Sequence, residues 1–204
     1  MKKVFEKKKI LIISAVCIFA VAFFVLGIFF LYPQKENSNS NGEFYPANYE
    51  ENIFLNQAYM GFQRDLLYSI GGVEQLFSYE KDFDSAEPEC QFFLKYFHTV
   101  INGDYETYKA FFVDGYFEED PKFTMQMIYD PYVMYHSVST DEIDGEEITL
   151  FNFQVRYRIF KNNKTYRSDV DSNVAVPQIY QLIKSEDGTY RIFRILNIEV
   201  ENAD

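Results

Sequence analysis

The stretch from Ile10 to Tyr32 reads ILIISAVCIFAVAFFVLGIFFLY, 23 residues without a charge or a proline. As a helix rising ~1.5 Å per residue it would measure ~34 Å, enough for a hydrocarbon core of ~30 Å. Lys2, Lys3, Lys7, Lys8 and Lys9 precede it against Glu6 alone, while Lys35 is the nearest cation beyond it. The positive-inside bias then puts residues 1–9 in the cytoplasm and the chain beyond Pro33 outside. Ala20-Val21-Ala22 matches a signal-peptidase site, but cleavage there would leave an apolar mature start, and the run exceeds a signal core of ~7–15 residues. Lipidation at Cys17 would need a small residue where Val16 stands. The expectation is a single-pass anchor in a cell membrane carrying an extracytoplasmic domain.

The remainder is acidic. The chain carries 19 Lys+Arg against 31 Asp+Glu; with the five leading lysines and Glu6 set aside, 14 face 30. That balance disfavours nucleic acid and anionic lipid headgroups as partners. It suits a solvated surface or a basic partner. With 17 Tyr and 22 Phe there is ample bulk to fill a core or line a cavity. Cys90 is the sole cysteine outside the apolar run, so no disulfide can form within the domain; a buried thiol is expected. An external domain without disulfides behind a short lysine-rich leader has the look of a Gram-positive bacterial protein.

Residues 33–48, PQKENSNSNGEFYPAN, read as a flexible linker. Across 49–86, Ile53, Phe54, Ala58, Phe62, Leu66 and Leu67 recur at helical spacing, which predicts a helical extension interrupted at Gly71-Gly72. Residues 87–204 are expected to form an α+β domain. Phe93, Tyr96, Phe97, Val100 and Ile101 form one helical stripe after Pro88. Asn102-Gly103 ends that helix and Asp104 caps a short one from Tyr105. Asp120-Pro121 signals a third helix, with Phe123, Met127 and Ile128 buried. Strands then follow at Tyr132–Val138, Ile148–Phe160, Thr165–Lys184 and Tyr190–Val200. In the second, Phe151, Phe153, Val155, Tyr157 and Ile159 alternate with polar residues and share one face. The fold class is therefore α+β: a transmembrane helix, then helices covering a curved antiparallel sheet of about four strands.

The segment FFLKYFHTVINGDYETYKAFF, 92–112, followed by PKFTMQMIYD, 121–130, and long strands resembles the nuclear transport factor 2-like, or cystatin-like cone, family. Ketosteroid isomerase and scytalone dehydratase share that fold. The likeness spans about residues 88–200, is architectural, and is closest to small membrane-anchored members common in Firmicutes. It implies a cone-shaped fold but carries over no activity residue by residue.

No catalytic set is evident, so no catalytic residue is assigned. His98 reads as a helix-surface or core-edge residue. His136, on a strand that would edge the cone's mouth, is a candidate base. Tyr129, Tyr157 and Tyr180 are candidate pocket residues beside it. The carboxylate clusters Asp82-Phe83-Asp84 and Glu118-Glu119-Asp120 lack the spacing of a calcium loop, and no zinc set, P-loop or dinucleotide fingerprint is present. No metal and no cofactor is expected. The favoured reading is a non-catalytic binding or assembly module with the membrane and an envelope protein as partners. Two alternatives remain open: a ligand-binding pocket protein, and a pocket enzyme of the ketosteroid-isomerase type using His136 or an Asp with a Tyr donor.

Overall fold

Alternation of apolar and polar residues builds most of this fold. The structure, a computed structural model, describes residues 45–143 and 145–198. They belong to one compact unit, Gly42–Asp204. The apolar run 10–32 lies outside the described residues, among which no helix is long and apolar enough to cross a membrane. The end of the expected linker is already docked: Tyr45 N donates to Asn162 O at 3.3 Å, and the Lys161 ammonium lies 5.4 Å from the Tyr45 ring centre.

A single 3₁₀ turn, Ile53–Leu55, and one turn of helix α1, Gln57–Met60, come first, each capped by an asparagine side chain, Asn52 and Asn56. The chain then forms a hairpin of β1, Leu66–Ile70, and β2, Val73–Phe77. This corrects the expected helical extension over 49–86. Leu66, Leu67 and Ile70 satisfy a helical spacing and a strand equally well. Gly71 and Gly72 decide between them: both adopt positive φ, 59° and 81°, as a two-residue hairpin turn requires. One turn of helix α2, Tyr79–Asp82, and a 3₁₀ turn, Phe83–Ser85, lead into α3, Pro88–Ile101. Helix α4, Tyr105–Lys109, follows, with Asp104 Oδ1 accepting from Thr107 N at 3.0 Å.

Gly103 between α3 and α4 has φ 67°, and a Cβ there would stand 2.6 Å from Met125 N, so the turn needs glycine for both reasons. The segment crossing it is the expected third helix, which does not form. Residues 121–127 run without regular structure because their backbone is engaged elsewhere: Gln126 N donates to Ile101 O at 3.2 Å and Thr124 N to Thr165 Oγ1 at 3.2 Å. Phe123 and Met127 are nonetheless buried, and Asp120 pairs with Lys109 at 3.1 Å rather than capping a helix.

The remaining strands are β3, Ile128–Ile143; β4, Glu146–Ile159; β5, Gln178–Lys184; and β6, Tyr190–Asn197. The expected antiparallel sheet of about four strands is thus replaced by a mixed sheet of six, ordered β2-β1-β3-β4-β5-β6, in which β1 pairs parallel to β3 and every other neighbour is antiparallel. The strand expected over Thr165–Lys184 forms only from Gln178. Before it, Asn162 pins the loop by donating its amide to Arg167 O at 2.7 Å and Val170 O at 2.6 Å.

Helix α3 lies across the face of the sheet that the β4 alternation predicts. Phe153, Val155, Tyr157 and Ile159 are buried there, with Phe93 5.1 Å from Phe153 and Phe97 5.6 Å from Tyr157, ring centre to ring centre. Each such ring contributes roughly 1.5–3 kcal/mol by leaving water. Cys90 is buried in the same helix and burial pushes its thiol up to about 12, so it is an inert packing group.

Candidate functional site

The interior between α3 and the sheet holds a cluster of tyrosine hydroxyls. Tyr96 from α3 places its Oη 2.7 Å from that of Tyr166, 3.2 Å from that of Tyr180 and 3.4 Å from that of Tyr108. Tyr157 lies beside them and accepts from buried Arg167 at 3.1 Å; Arg167 also donates to Gln178 Oε1 at 2.6 Å and to both oxygens of Asp169. Burial, then the neighbouring phenols, holds the Tyr96, Tyr166 and Tyr180 hydroxyls well above their usual range. They stay neutral and are spent on one another. Among the described residues no carboxylate or imidazole hydrogen-bonds the Tyr96, Tyr166 or Tyr180 hydroxyl directly; Asp169 reaches the cluster only through Arg167 and Tyr157.

Of the four candidate pocket residues, Tyr157 and Tyr180 come together here. Tyr129 is elsewhere: its ring stacks on Phe62 at 4.4 Å and its hydroxyl donates to Asn173 Oδ1 at 3.0 Å. His136 is exposed at a register shift of β3 between Tyr135 and Ser137, away from this cluster. On the opposite face of the sheet a polar relay is equally satisfied: Asn152 donates to Ser139 Oγ, Gln181 to Asn152 and Arg194 to Gln181 and Asp141, at 2.6–3.0 Å.

A second concavity has a different character. It is a cleft of about 330 Å³ between the β1–β2 hairpin, α2 and α3. Leu94 and Phe97 from α3 and Phe77 from β2 give it apolar walls; Arg64, Asp65, Glu80 and His98 give it charge and polarity. Arg64 and Asp65 enter by immediately preceding β1, and Tyr79 and Glu80 by following β2, so the hairpin that the sequence reading missed is what assembles the site.

His98 stacks flat on Tyr79, ring centres 3.9 Å apart and planes 12° apart. Burial lowers its pKa, partly offset by Glu80, so the imidazole is neutral at pH 7. Glu80 is held below the usual carboxylate range by a backbone hydrogen bond, by Ser78 Oγ at 3.0 Å and by the positive charge of Arg64 nearby. The Arg64 guanidinium carbon lies 5.7 Å from the Tyr59 ring centre. Its Nε is buried without a hydrogen bond, and among the described residues it forms no ion pair. The Asp65 carboxylate likewise has neither an ion pair nor a side-chain hydrogen bond, although its backbone N donates to Gln63 Oε1. Both side chains are partly buried where they line the cleft.

Among the described residues no group of three or more His, Cys, Asp or Glu side chains converges as metal ligands would. Asn163 donates its side-chain amide to Thr124 Oγ1 at 2.6 Å. Comparison with family models, with curated proteins and with solved structures finds no match to this chain.

Proposed function

We propose that the chain is a membrane-anchored, extracytoplasmic binding module whose working surface is the cleft between the β1–β2 hairpin and α3. The 10–32 run supports the anchor, and its lysine-rich leader supports an external domain. One observation carries the binding reading: the interior tyrosine hydroxyls are paired with one another, whereas Arg64 and Asp65 line a cleft without forming an ion pair among the described residues. A non-catalytic role is favoured because the interior tyrosines have no base among them and the neutral His98 is committed to a stack. A cleft of about 330 Å³ favours a small ligand over a protein partner.

Native mass spectrometry on the full chain, extracted from its own membrane, tests this. The expected result is a co-purifying small molecule that is lost from His98→Trp, whose larger ring fills the cleft, and kept by Tyr180→Phe in the interior. Thermal unfolding confirms that both variants fold. A chain that emerges empty, or a ligand that His98→Trp retains and Tyr180→Phe loses, overturns the assignment.

A further inference from the structure

The composition of the cleft specifies the ligand more closely. We infer that it takes a small zwitterion with an apolar body, a free amino acid or dipeptide, whose carboxylate meets Arg64 and whose ammonium meets Asp65. This rests on the binding reading above and goes beyond it by naming the ligand class.

Charge balance excludes the simpler ligands. A plain anion would gain Arg64 but approach Asp65 and Glu80, in a chain of net charge −12. A plain cation would gain the two carboxylates but meet the repulsion of Arg64, whose positive charge already acts on Glu80. His98 cannot supply a second positive charge at neutral pH, since burial keeps it neutral. A ligand carrying both signs satisfies each group by charge-assisted hydrogen bonds, and the guanidinium fork matches a carboxylate in shape.

The walls set the rest. Leu94 and Phe97 are 4% and 3% exposed and form a dry apolar wall beside the charges. Phe77 and the Tyr79 ring, fixed by its stack on His98, add aromatic surface. An apolar side chain of the ligand is what such a surface buries. The volume, about 330 Å³, lies at the low end of small-molecule sites, ~300–1,000 Å³, which admits one or two amino-acid residues and excludes a long peptide.

Three probes separate the contributions: the dipeptide Leu-Phe, its N-acetyl form and its C-terminal amide, with free leucine as the smaller probe. Each is titrated calorimetrically into the full chain in detergent micelles. Leu-Phe or leucine is expected to bind, and either blocking group on the dipeptide to weaken binding at least tenfold. In Arg64→Gln the free acid and the amide should bind alike while acetylation still weakens binding. In Asp65→Asn the pattern should reverse. A merely structural role for either residue would lower all affinities together and leave both ratios intact, which would overturn the assignment. So would equal binding of all three dipeptides, or binding of neither Leu-Phe nor leucine. If mass spectrometry finds a cleft ligand that is not a zwitterion, the ligand class fails and the binding module stands.

Discussion

The interior and the cleft share helix α3 but treat polar groups in opposite ways. Tyr96 on that helix joins three other hydroxyls in the interior. His98, two residues on, turns to the cleft, where Arg64 and Asp65 form no ion pair among the described residues. Folding favours matched buried donors and acceptors, and the tyrosine cluster follows that rule, although Gln126 Oε1, buried near Thr124, lacks a partner among the described residues. The cleft departs from that rule at the molecule's periphery, where a ligand can reach the unmatched groups. In this chain abundance of polar residues does not locate the candidate site; charged groups gathered in an accessible cleft do.

The largest test removes the support common to both regions. Phe93 is fully buried on α3 against Phe153 and Tyr180. Phe93→Ala is expected to cost about 3–5 kcal/mol in denaturant unfolding. Because the same helix carries Leu94, Phe97 and His98, ligand binding should fall with it near the unfolding transition. A loss below about 1 kcal/mol would mean that the interior is loosely packed and that the contrast between the regions is overstated.

The next test touches the interior alone. Tyr96→Phe keeps the ring but deprives the Tyr166 and Tyr180 hydroxyls of their shared neighbour. Leaving buried hydroxyls unmatched costs about 1–3 kcal/mol. Chemical denaturation reads that loss, while calorimetry of the cleft should show affinity unchanged. A neutral effect on stability would show that the hydroxyl cluster is not a satisfied network.

Sequence patterning reached the interior and missed the cleft, for physical reasons. The period-two run in β4 is long enough to exclude a helix, and the α3 stripe is long enough to exclude a strand. The Asn102-Gly103-Asp104 turn is legible because Gly103 alone fits beside Met125. The β4 alternation places Tyr157 inward, whereas nothing in the pattern separates Tyr129, at the end of the expected third helix, or His136, on the first expected strand, from Tyr157 and Tyr180. The bulge between Tyr135 and Ser137 leaves His136 outside, and bulges leave no local signature here. The β1–β2 hairpin has strands of five residues each, too short for periodicity to decide. Missing it hid the parallel β1–β3 pairing, and with it the juxtaposition of Arg64, Tyr79 and His98. The Gly71-Gly72 pair between apolar runs was the available clue.

A smaller effect separates the regions by pH. Burial depresses the His98 pKa in the folded chain, so the unfolded chain binds more protons across the histidine range. Stability is then fully present above the unfolded value of about 6.5 and declines as pH falls toward and through the folded value. Glu80, facing His98 from α2, opposes this in part, and Arg64 lines the same cleft. The lowered carboxylates Asp104, Asp141 and Asp169 lose their contributions only at lower pH, outside this window. Melting temperature should therefore fall between pH 7.5 and 5.5, and His98→Gln should flatten that slope. The neutral interior hydroxyls predict the same slope in Tyr180→Phe as in the parent. Equal slopes in the parent and His98→Gln would remove the imidazole from the account.

The smallest expected effect is the most discriminating. Arg64→Met preserves the length and apolar stem of the side chain while deleting a charge that forms no ion pair among the described residues. If that charge is held for a ligand, the unliganded protein gives up the cation–π contact with Tyr59, 5.7 Å away, and a long-range attraction to Glu80, and regains the cost of withdrawing a guanidinium from water. Stability should stay within about 0.5 kcal/mol of the parent, or rise. A loss of about 2 kcal/mol or more would place Arg64 among the structural groups, as Arg167 is placed by Asp169, Tyr157 and Gln178. The cleft would then be a second satisfied region rather than a poised one. Near-neutral stability together with lost discrimination between a free carboxylate and its amide can arise only if the charge is matched by something other than the protein itself.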